Sequence, residues 1–303
     1  MKPRISCIIP TLNRGPILLR TVEQLIAQTS AAEIIVVDQT VSPDSETRSV
    51  LSGWNHEGRI RLVHQSEANA SKARNAGAIE ATGDVLLFLD DDIEVGPEFI
   101  AAHARNYLDP KVVAVSGQVL ESERAVTTKL QFDPEDPDLG WIRFPKNYAR
   151  RCCTSWMASG NFSIRRNVYF EIGGMDENYT RGAFREETDF AMRFLRAGYK
   201  FQFDPEASIV HLGVRRVPGG GARSWNDPFE IHHFIGDWYF NLKYLRWRNA
   251  SLILWYSFRH LVASRRKVKR PWLAMMSAIV WVVALPVAAV RRLGGPRLVA
   301  PIL

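Results

Sequence analysis

Val85-Leu86-Leu87-Phe88-Leu89-Asp90-Asp91-Asp92 sets five apolar residues directly against three carboxylates. A run this short and this apolar reads as a strand buried on both faces, the kind found in parallel sheets. Three carboxylates at its end repel one another unless cations sit among them. The apolar half predicts where the chain lies in a fold, and the acidic half predicts what it does there.

Upstream, Ile5–Ile9, Ile34–Val37 and Ile60–His64 are runs of the same type. Between them Pro16–Gln28 carries Leu18, Leu19, Val22, Leu25 and Ile26 at helical spacing. Ser42–Leu51, with Ser42 as cap and Pro43 first in the helix, and the Ser-capped stretch Ser71–Ala81 complete a β-α-β-α order. That order predicts an α/β fold with a Rossmann-like, mostly parallel central sheet flanked by helices. Ligands of such sheets sit beyond the carboxyl ends of the strands, where Pro10-Thr11, Asp38-Gln39 and Asp90-Asp91-Asp92 fall. Further on, Val112–Gln118, Gly160–Ile164 and Ser208–His211 read as strands, and Asn167–Ile172 and Glu187–Ala197 as helices, the second stopped by Gly198. Pro218-Gly219-Gly220-Gly221 reads as a loop.

The chain has 303 residues, 46% apolar and 23% charged, enough to bury a core without staples. Its three cysteines, Cys7, Cys152 and Cys153, have no framework spacing and fit a reducing compartment. Ile5–Ile9 stops at Pro10 and is too short for a secretory signal. Thirty-nine Lys and Arg against 32 Asp and Glu give a net charge of +7. Twelve of those cations follow Asp237, the last acidic residue, so the first 237 residues carry −5. Within the basic tail Trp272–Val290 holds no charge and runs close to the ~20 residues of a bilayer-spanning helix. Arg265, Arg266, Lys267, Lys269 and Arg270 precede it, and Arg291, Arg292 and Arg297 follow. This pattern suits anionic headgroups. We therefore expect a globular domain over 1–227 and a helical, membrane-associated region over 228–303, with no nucleic acid as partner because no nucleic-acid motif accompanies the cations.

Each polar motif has a chemical and a structural reading. Asp90-Asp91-Asp92 offers hard oxygen ligands for Mg²⁺ or Mn²⁺, or forms a solvated turn. Asp38 accepts from a ribose or base, or caps a turn. Arg74 in Ser71-Lys72-Ala73-Arg74-Asn75 pairs with a diphosphate, or sits on an exposed helix face. Glu187 in Arg185-Glu186-Glu187-Thr188-Asp189 is a general base, with Asp189 held elsewhere by Arg193, or all are ordinary acidic partners of a helix N-terminus. His211 is a metal ligand or a phosphate contact, or a structural histidine. No GxGxxG and no GxxxxGK[ST] is present, which excludes the usual dehydrogenase and nucleoside-triphosphatase fingerprints.

Taken in order, several segments resemble family-2 glycosyltransferases of the GT-A fold. They are Ile8-Ile9-Pro10-Thr11-Leu12-Asn13, Ile34-Ile35-Val36-Val37-Asp38, Ala73-Arg74-Asn75-Ala76-Gly77, Gly83-Asp84 through Asp92, Gly160-Asn161-Phe162-Ser163-Ile164-Arg165, Gly173-Gly174-Met175-Asp176-Glu177, and Glu186-Glu187-Thr188-Asp189 through Lys200. The resemblance spans Ile5 to about His211. It implies that Thr11 and Asp38 line the nucleoside pocket and that Arg74 lies near the base or diphosphate. Asp90 and Asp92 match the DxD motif, Asp90 toward the ribose and Asp92 on the metal, with Asp91 between them in the donor site. Trp156, Gly160 and Asn161 are implied beside donor and acceptor, Glu187 as the base, and His211 on metal or diphosphate. Gln39-Thr40 departs from the usual Asp/Asn-Gly-Ser, and Glu187 is one methylene longer than the usual Asp.

The expected activity is that of a hexosyltransferase dependent on Mn²⁺ or Mg²⁺, inverting the sugar it takes from a nucleotide-diphosphate donor. The expected acceptor is an envelope glycan or lipid-linked hydroxyl, at the cytoplasmic side of a bacterial cell membrane. Alternatives are a nucleotidyltransferase and a catalytically degenerate, membrane-bound scaffold.

Overall fold

In the computed structural model the residues described are 2–28, 32–121, 125–136, 143–181, 184–213, 230–246 and 250–300. Among them the first third alternates as its hydrophobic pattern dictates: β1 (Ile5–Thr11), α1 (Pro16–Ile26), β2 (Ala32–Asp38), α2 (Ser45–His56), β3 (Arg61–His64), α3 (Ala70–Glu80) and β4 (Val85–Leu89). Two helix starts differ from expectation. Asp44, not Ser42, caps α2 by accepting from the Thr47 N–H at 2.8 Å. Asn69, not Ser71, caps α3 by accepting from the Lys72 N–H at 3.1 Å. Carboxylate and amide caps satisfy the same orphan donors as a hydroxyl would.

The chain continues through β5 (Ile93–Val95), α4 (Phe99–Asn106), β6 (Ala114–Glu121), β7 (Cys152–Thr154), β8 (Asn161–Arg165), α5 (Arg166–Glu171), α6 (Glu186–Arg196) and β9 (Phe201–His211). One sheet holds the nine strands in the order β3-β2-β1-β4-β8-β6-β9-β5, with β7 on β9. From β3 to β4 every pair is parallel, as expected. Beyond β4 the sheet is mixed: β8 runs antiparallel to β4 and β6, β6 and β9 pair in parallel, and β5 and β7 pair antiparallel to β9. β9 is much longer than its apolar end, Ser208–His211, suggested. Its charged middle is accommodated because Asp204 accepts from Asn106 at 2.6 Å and Arg151 at 2.8 Å.

Strand alternation divides the apolar residues between two cores. Cys7, Ile9, Val36, Leu87 and Leu89 face one side, with Leu18, Leu51 and Phe99 of α1, α2 and α4. Ile8, Val37, Leu86 and Phe88 face the other, with Ala73, Val168 and Phe190 of α3, α5 and α6. Each buried Leu, Ile or Phe contributes about 1.5–3 kcal/mol, so the sheet is fixed from both faces and its strand ends are fixed with it.

The tail folds as α7 (Ile231–Tyr244), α8 (Ala250–Leu261), α9 (Arg265–Val268) and α10 (Pro271–Leu293). Pro286 lies inside α10 without ending it. These helices are not set apart from the globular body. Phe234, Tyr239 and Phe240 of α7, Leu261 of α8, and Ala284 and Ala288 of α10 form a third core with Tyr179, Phe184 and Met192. The expected boundary at 227/228 lies outside the described residues, as does the Pro218–Gly221 loop.

Candidate active site

Asp90 begins where β4 stops, and its N–H donates to the Gly160 carbonyl at 3.2 Å. A Cβ on Gly160 would stand 2.0 Å from Asp90 Oδ2, so only glycine lets this carboxylate occupy its place. Asp91 and Asp92 are buried. Thr11 Oγ1 donates to Asp91 Oδ2 at 2.8 Å, and Arg14 lies across the pair, Nε 3.2 Å from Asp91 and Nη2 3.2 Å from Asp92. Burial pushes the Asp91 carboxyl up to about 7 against the pull of Arg14, and its neighbours Asp92 and Asp90 add to the rise.

Asp91 is thus tied to protein partners, while its neighbours turn to His211. Nε2 of His211 stands 3.3 Å from Asp92 Oδ1 and 3.9 Å from Asp90 Oδ2. One ligand atom from each of Asp90, Asp92 and His211 falls within 4.8 Å of the others. Two carboxylate oxygens and an imidazole nitrogen form a donor set that fits a divalent cation such as Mn²⁺ or Mg²⁺.

Asp38, at the end of β2, is buried and accepts from the Thr40 N–H at 2.9 Å. Gln39 beside it accepts from the Asn69 N–H at 2.7 Å and donates to the Thr11 carbonyl at 3.3 Å, fastening the start of α3 to β1 and β2. Arg74 of α3 is 4% exposed, 3.7 Å from Asp90 and 3.5 Å from Glu186. Its Nε and Nη1 make no hydrogen bond among the described residues. A buried guanidinium with N–H groups to spare, lining a cleft, is suited to an anionic ligand.

The first turn of α6 sends its acids in three directions, since successive helical residues are rotated by about 100°. Glu186 turns to Arg74. Glu187 turns to the cleft, where its Oε2 accepts from Ser159 Oγ at 2.9 Å and the Ser159 N–H at 3.2 Å. Asp189 turns away, fully buried, accepting from Arg193 Nε at 2.9 Å, Tyr244 OH at 3.0 Å and Lys243. Burial opposes its ionisation, yet Arg193 and Lys243 hold its carboxyl below the usual range. Arg185, which precedes the helix in a left-handed conformation (φ 79°), pairs with Asp237 of α7 at 3.1 Å. The tail therefore grips the helix that presents Glu187.

Thr11, Asp38, Arg74, Asp90, Asp91, Asp92, Trp156, Gly160, Glu187 and His211 all border one cleft of about 1260 Å³. Trp156 stacks on Phe144 at 5.6 Å between ring centres. Asn161 is the exception. It is fully buried, donates to the carbonyls of Gln118 and Ala207 at 2.9 Å and faces His103 Nε2 at 2.9 Å, so it cross-links strands instead of lining the cleft. Its side chain points opposite to the cleft because β8 alternates, and Ser159 and Gly160 reach the cleft in its place. Sequence reasoning missed Arg14, Ser159 and Glu186 at the cleft, together with Arg181 and the α7 residues His232 and His233. A signal for Arg14 existed: Asn13 (φ 55°) and Gly15 (φ 51°) flank it just past β1, residue types that suit a sharp turn there.

Comparison with known proteins points the same way. Residues 6–173 match the sequence model of the family described as Glycosyl transferase family 2. The chain is 39% identical over 239 residues to the uncharacterized glycosyltransferase YibD of Escherichia coli (strain K12), covering 74% of this chain and 66% of that protein. It is 31% identical over 205 residues to validoxylamine A glucosyltransferase of Streptomyces hygroscopicus subsp. jinggangensis (strain 5008), covering 59% and 48%. The match thus spans about half to two thirds of these relatives. Among solved structures, Pyrobaculum calidifontis mannosyltransferase PcManGT in complex with GDP-Man and Mn²⁺ superposes with a TM-score of 0.58 at 18% identity, covering 97% of this chain and 80% of that one. S. aureus TarS 1–349 in complex with UDP-GlcNAc superposes with a TM-score of 0.64 at 14% identity, covering 94% and 80%. Both share the fold.

Proposed function

The chain belongs to glycosyl transferase family 2, and on that premise we propose that it transfers a sugar, with inversion, from a nucleoside-diphosphate donor to a hydroxyl of a glycan or lipid-linked envelope acceptor. The observation that carries the reading is the convergence of a carboxylate pair with His211, a buried arginine and Glu187 on one cleft at the ends of parallel strands. Nucleotidyl transfer and a degenerate scaffold are the weaker readings, given the family.

In this mechanism Asp38 accepts from the nucleoside, and Thr11 keeps Asp91 in place beside it. Asp90, Asp92 and His211 hold Mn²⁺ or Mg²⁺, which when bound stabilises negative charge on the diphosphate. Arg74 supplies a second, fixed positive charge to the same diphosphate, desolvated and therefore effective. Glu187, oriented by Ser159, takes the proton of the attacking hydroxyl, a contribution of about 10²–10⁴-fold. Attack from the face opposite the leaving group inverts the anomeric carbon. Trp156 offers an apolar face to a sugar ring. The basic, apolar tail is read as holding the enzyme at the cytoplasmic side of the cell membrane, where such acceptors are presented.

Purified protein incubated with a panel of nucleotide sugars, Mn²⁺ and membrane glycolipid extract tests the proposal. Release of nucleoside diphosphate with one donor, and a product of opposite anomeric configuration by NMR, is expected. Pyrophosphate release would indicate nucleotidyl transfer, and absence of donor binding with metal present would indicate the scaffold.

A further inference from the structure

Helix α10 is 23 residues long and apolar enough to cross a bilayer, and it is the one such helix among the described residues. At 1.5 Å per residue it measures about 34 Å, against a hydrocarbon core of about 30 Å. A crossing helix places its ends on opposite sides of the membrane. The contacts of α10 do not permit that.

Its N-terminal side is joined through α9, whose Lys267 donates to the Leu261 carbonyl at 2.5 Å and lies over the Phe234 ring of α7 at 5.5 Å. Its middle packs on α7, where Trp238 Nε1 donates to the Trp281 carbonyl at 2.7 Å and the two rings lie 4.5 Å apart. Its C-terminal side returns to the same body. Arg291 donates to the Asn178 carbonyl at 2.5 Å, and Asn178 Nδ2 donates to the Gly295 carbonyl at 2.8 Å. Past the helix, the Arg297 N–H donates to Asp176 at 3.0 Å and the Val299 N–H to the Gly173 carbonyl at 2.9 Å. Both ends and the middle are thus fastened to the body that carries the cleft.

What remains is one free face. Leu273, Ser277, Ala284 and Ala288 are buried against the body. Trp272, Met275, Ile279, Val282, Val283 and Val290 lie on the opposite side of the helix, each about half or more exposed. In water such a stripe is unfavourable. Arg265, Arg266, Lys269 and Arg270 are exposed just before it and Arg292 just after. An apolar stripe bounded by cations at both ends and accompanied by no anion is complementary to an anionic lipid surface.

We propose that α10 lies flat in one leaflet, its outward stripe in the acyl boundary and its flanking cations on anionic headgroups, so that the protein docks on one membrane face and does not span it. This rests on the membrane-associated reading of the tail and deepens it.

The test uses the full chain with vesicles of phosphatidylcholine alone or with added phosphatidylglycerol. Sedimentation with the anionic vesicles, at least tenfold weaker on phosphatidylcholine alone or in high salt, is expected, as is loss of binding in the V282D/V283D double variant with donor binding intact. Orientation is read from W272C, I279C and V290C, made separately in a C152S/C153S background, labelled with a fluorophore and quenched by lipid spin labels at shallow and deep positions. A shared shallow depth is expected. A deep Ile279 position between two shallow ends would overturn the flat orientation while leaving membrane binding in place. Binding to neither vesicle type, or burial of the stripe in a dimer by light scattering, would overturn the membrane reading itself and leave the transferase assignment to its own assay.

Discussion

Two clusters of carboxylates lie on either side of α6 and are built to opposite ends. On the tail side Asp176, Asp189 and Asp237 meet Lys243, Arg193 and Arg185, with Tyr239 and Tyr244 donating to the Asp176 and Asp189 oxygens that Lys243 also contacts, at 2.8 and 3.0 Å. Anions and cations match, and the cluster is closed. On the cleft side Arg14 pairs with Asp91 and Asp92, and Arg74 with Asp90 and Glu186, while Glu187 accepts only from Ser159 among the contacts described. Acids outnumber those bases, and the surplus faces a cavity. A run of acids is therefore not by itself a ligand site. It becomes one where the fold leaves the charge unbalanced beside open volume, and a balanced cluster of the same residue types acts as structure.

If the contrast is correct, substitutions on the two sides fail in different ways. The largest effect is expected from E187Q, which should lower kcat by about 10²–10⁴-fold with an unchanged melting temperature, as measured by nucleoside-diphosphate release and calorimetry. Near-normal turnover would move the base elsewhere. D189N, two residues along, should instead cost stability, about 3–5 kcal/mol, because Arg193 and Lys243 would lose their buried counter-charge. Its pH dependence sharpens the point. A carboxyl held low in the fold stabilises above its ordinary value near ~4 and ceases to as pH falls through the lower, folded value. Wild-type protein should lose stability more steeply below about pH 4 than D189N, which has already lost this contribution. Denaturant melts across that range would show it.

D92N tests the open cluster directly. A divalent cation held there, as proposed, would supply several kcal/mol of charge stabilisation, so activity should drop by about 10²-fold or more, with Mn²⁺ affinity weakened in calorimetry and the melting temperature little altered. The smallest effect is predicted for S159A, which removes one hydrogen bond to Glu187 and retains the backbone one. A fall in kcat of roughly tenfold or less, with donor KM unchanged, would mark Ser159 as a positioning residue.

Much of the fold was legible because burial imposes periodicity. Val85–Leu89 was read with its observed limits, since a strand covered on both faces has no polar positions to blur it. β9 was under-read because Asp204 and Glu206 interrupt its pattern, and the partners that make Asp204 tolerable, Asn106 and Arg151, come from distant segments. Of the residues that border the cleft, Asp38, Arg74 and the Asp triplet were legible because they stand at strand ends or near a helix start. Asn161 does not border the cleft, because it is the first residue of β8, where strand alternation turns its side chain to the carbonyls of Gln118 and Ala207.

The order of strands and helices, the acidic triplet beyond a buried strand and the electrical division at Asp237 are properties of the sequence alone, because they follow from local periodicity and from the types of neighbouring residues. Which of Glu186, Glu187 and Asp189 faces the cleft, that Arg14 rather than a ligand balances Asp91, and that both ends of α10 return to one body were decided only by tertiary structure. Each depends on partners tens to over a hundred residues away, and the free energy of a charge or an apolar face is set by what it meets in space, which no local pattern encodes.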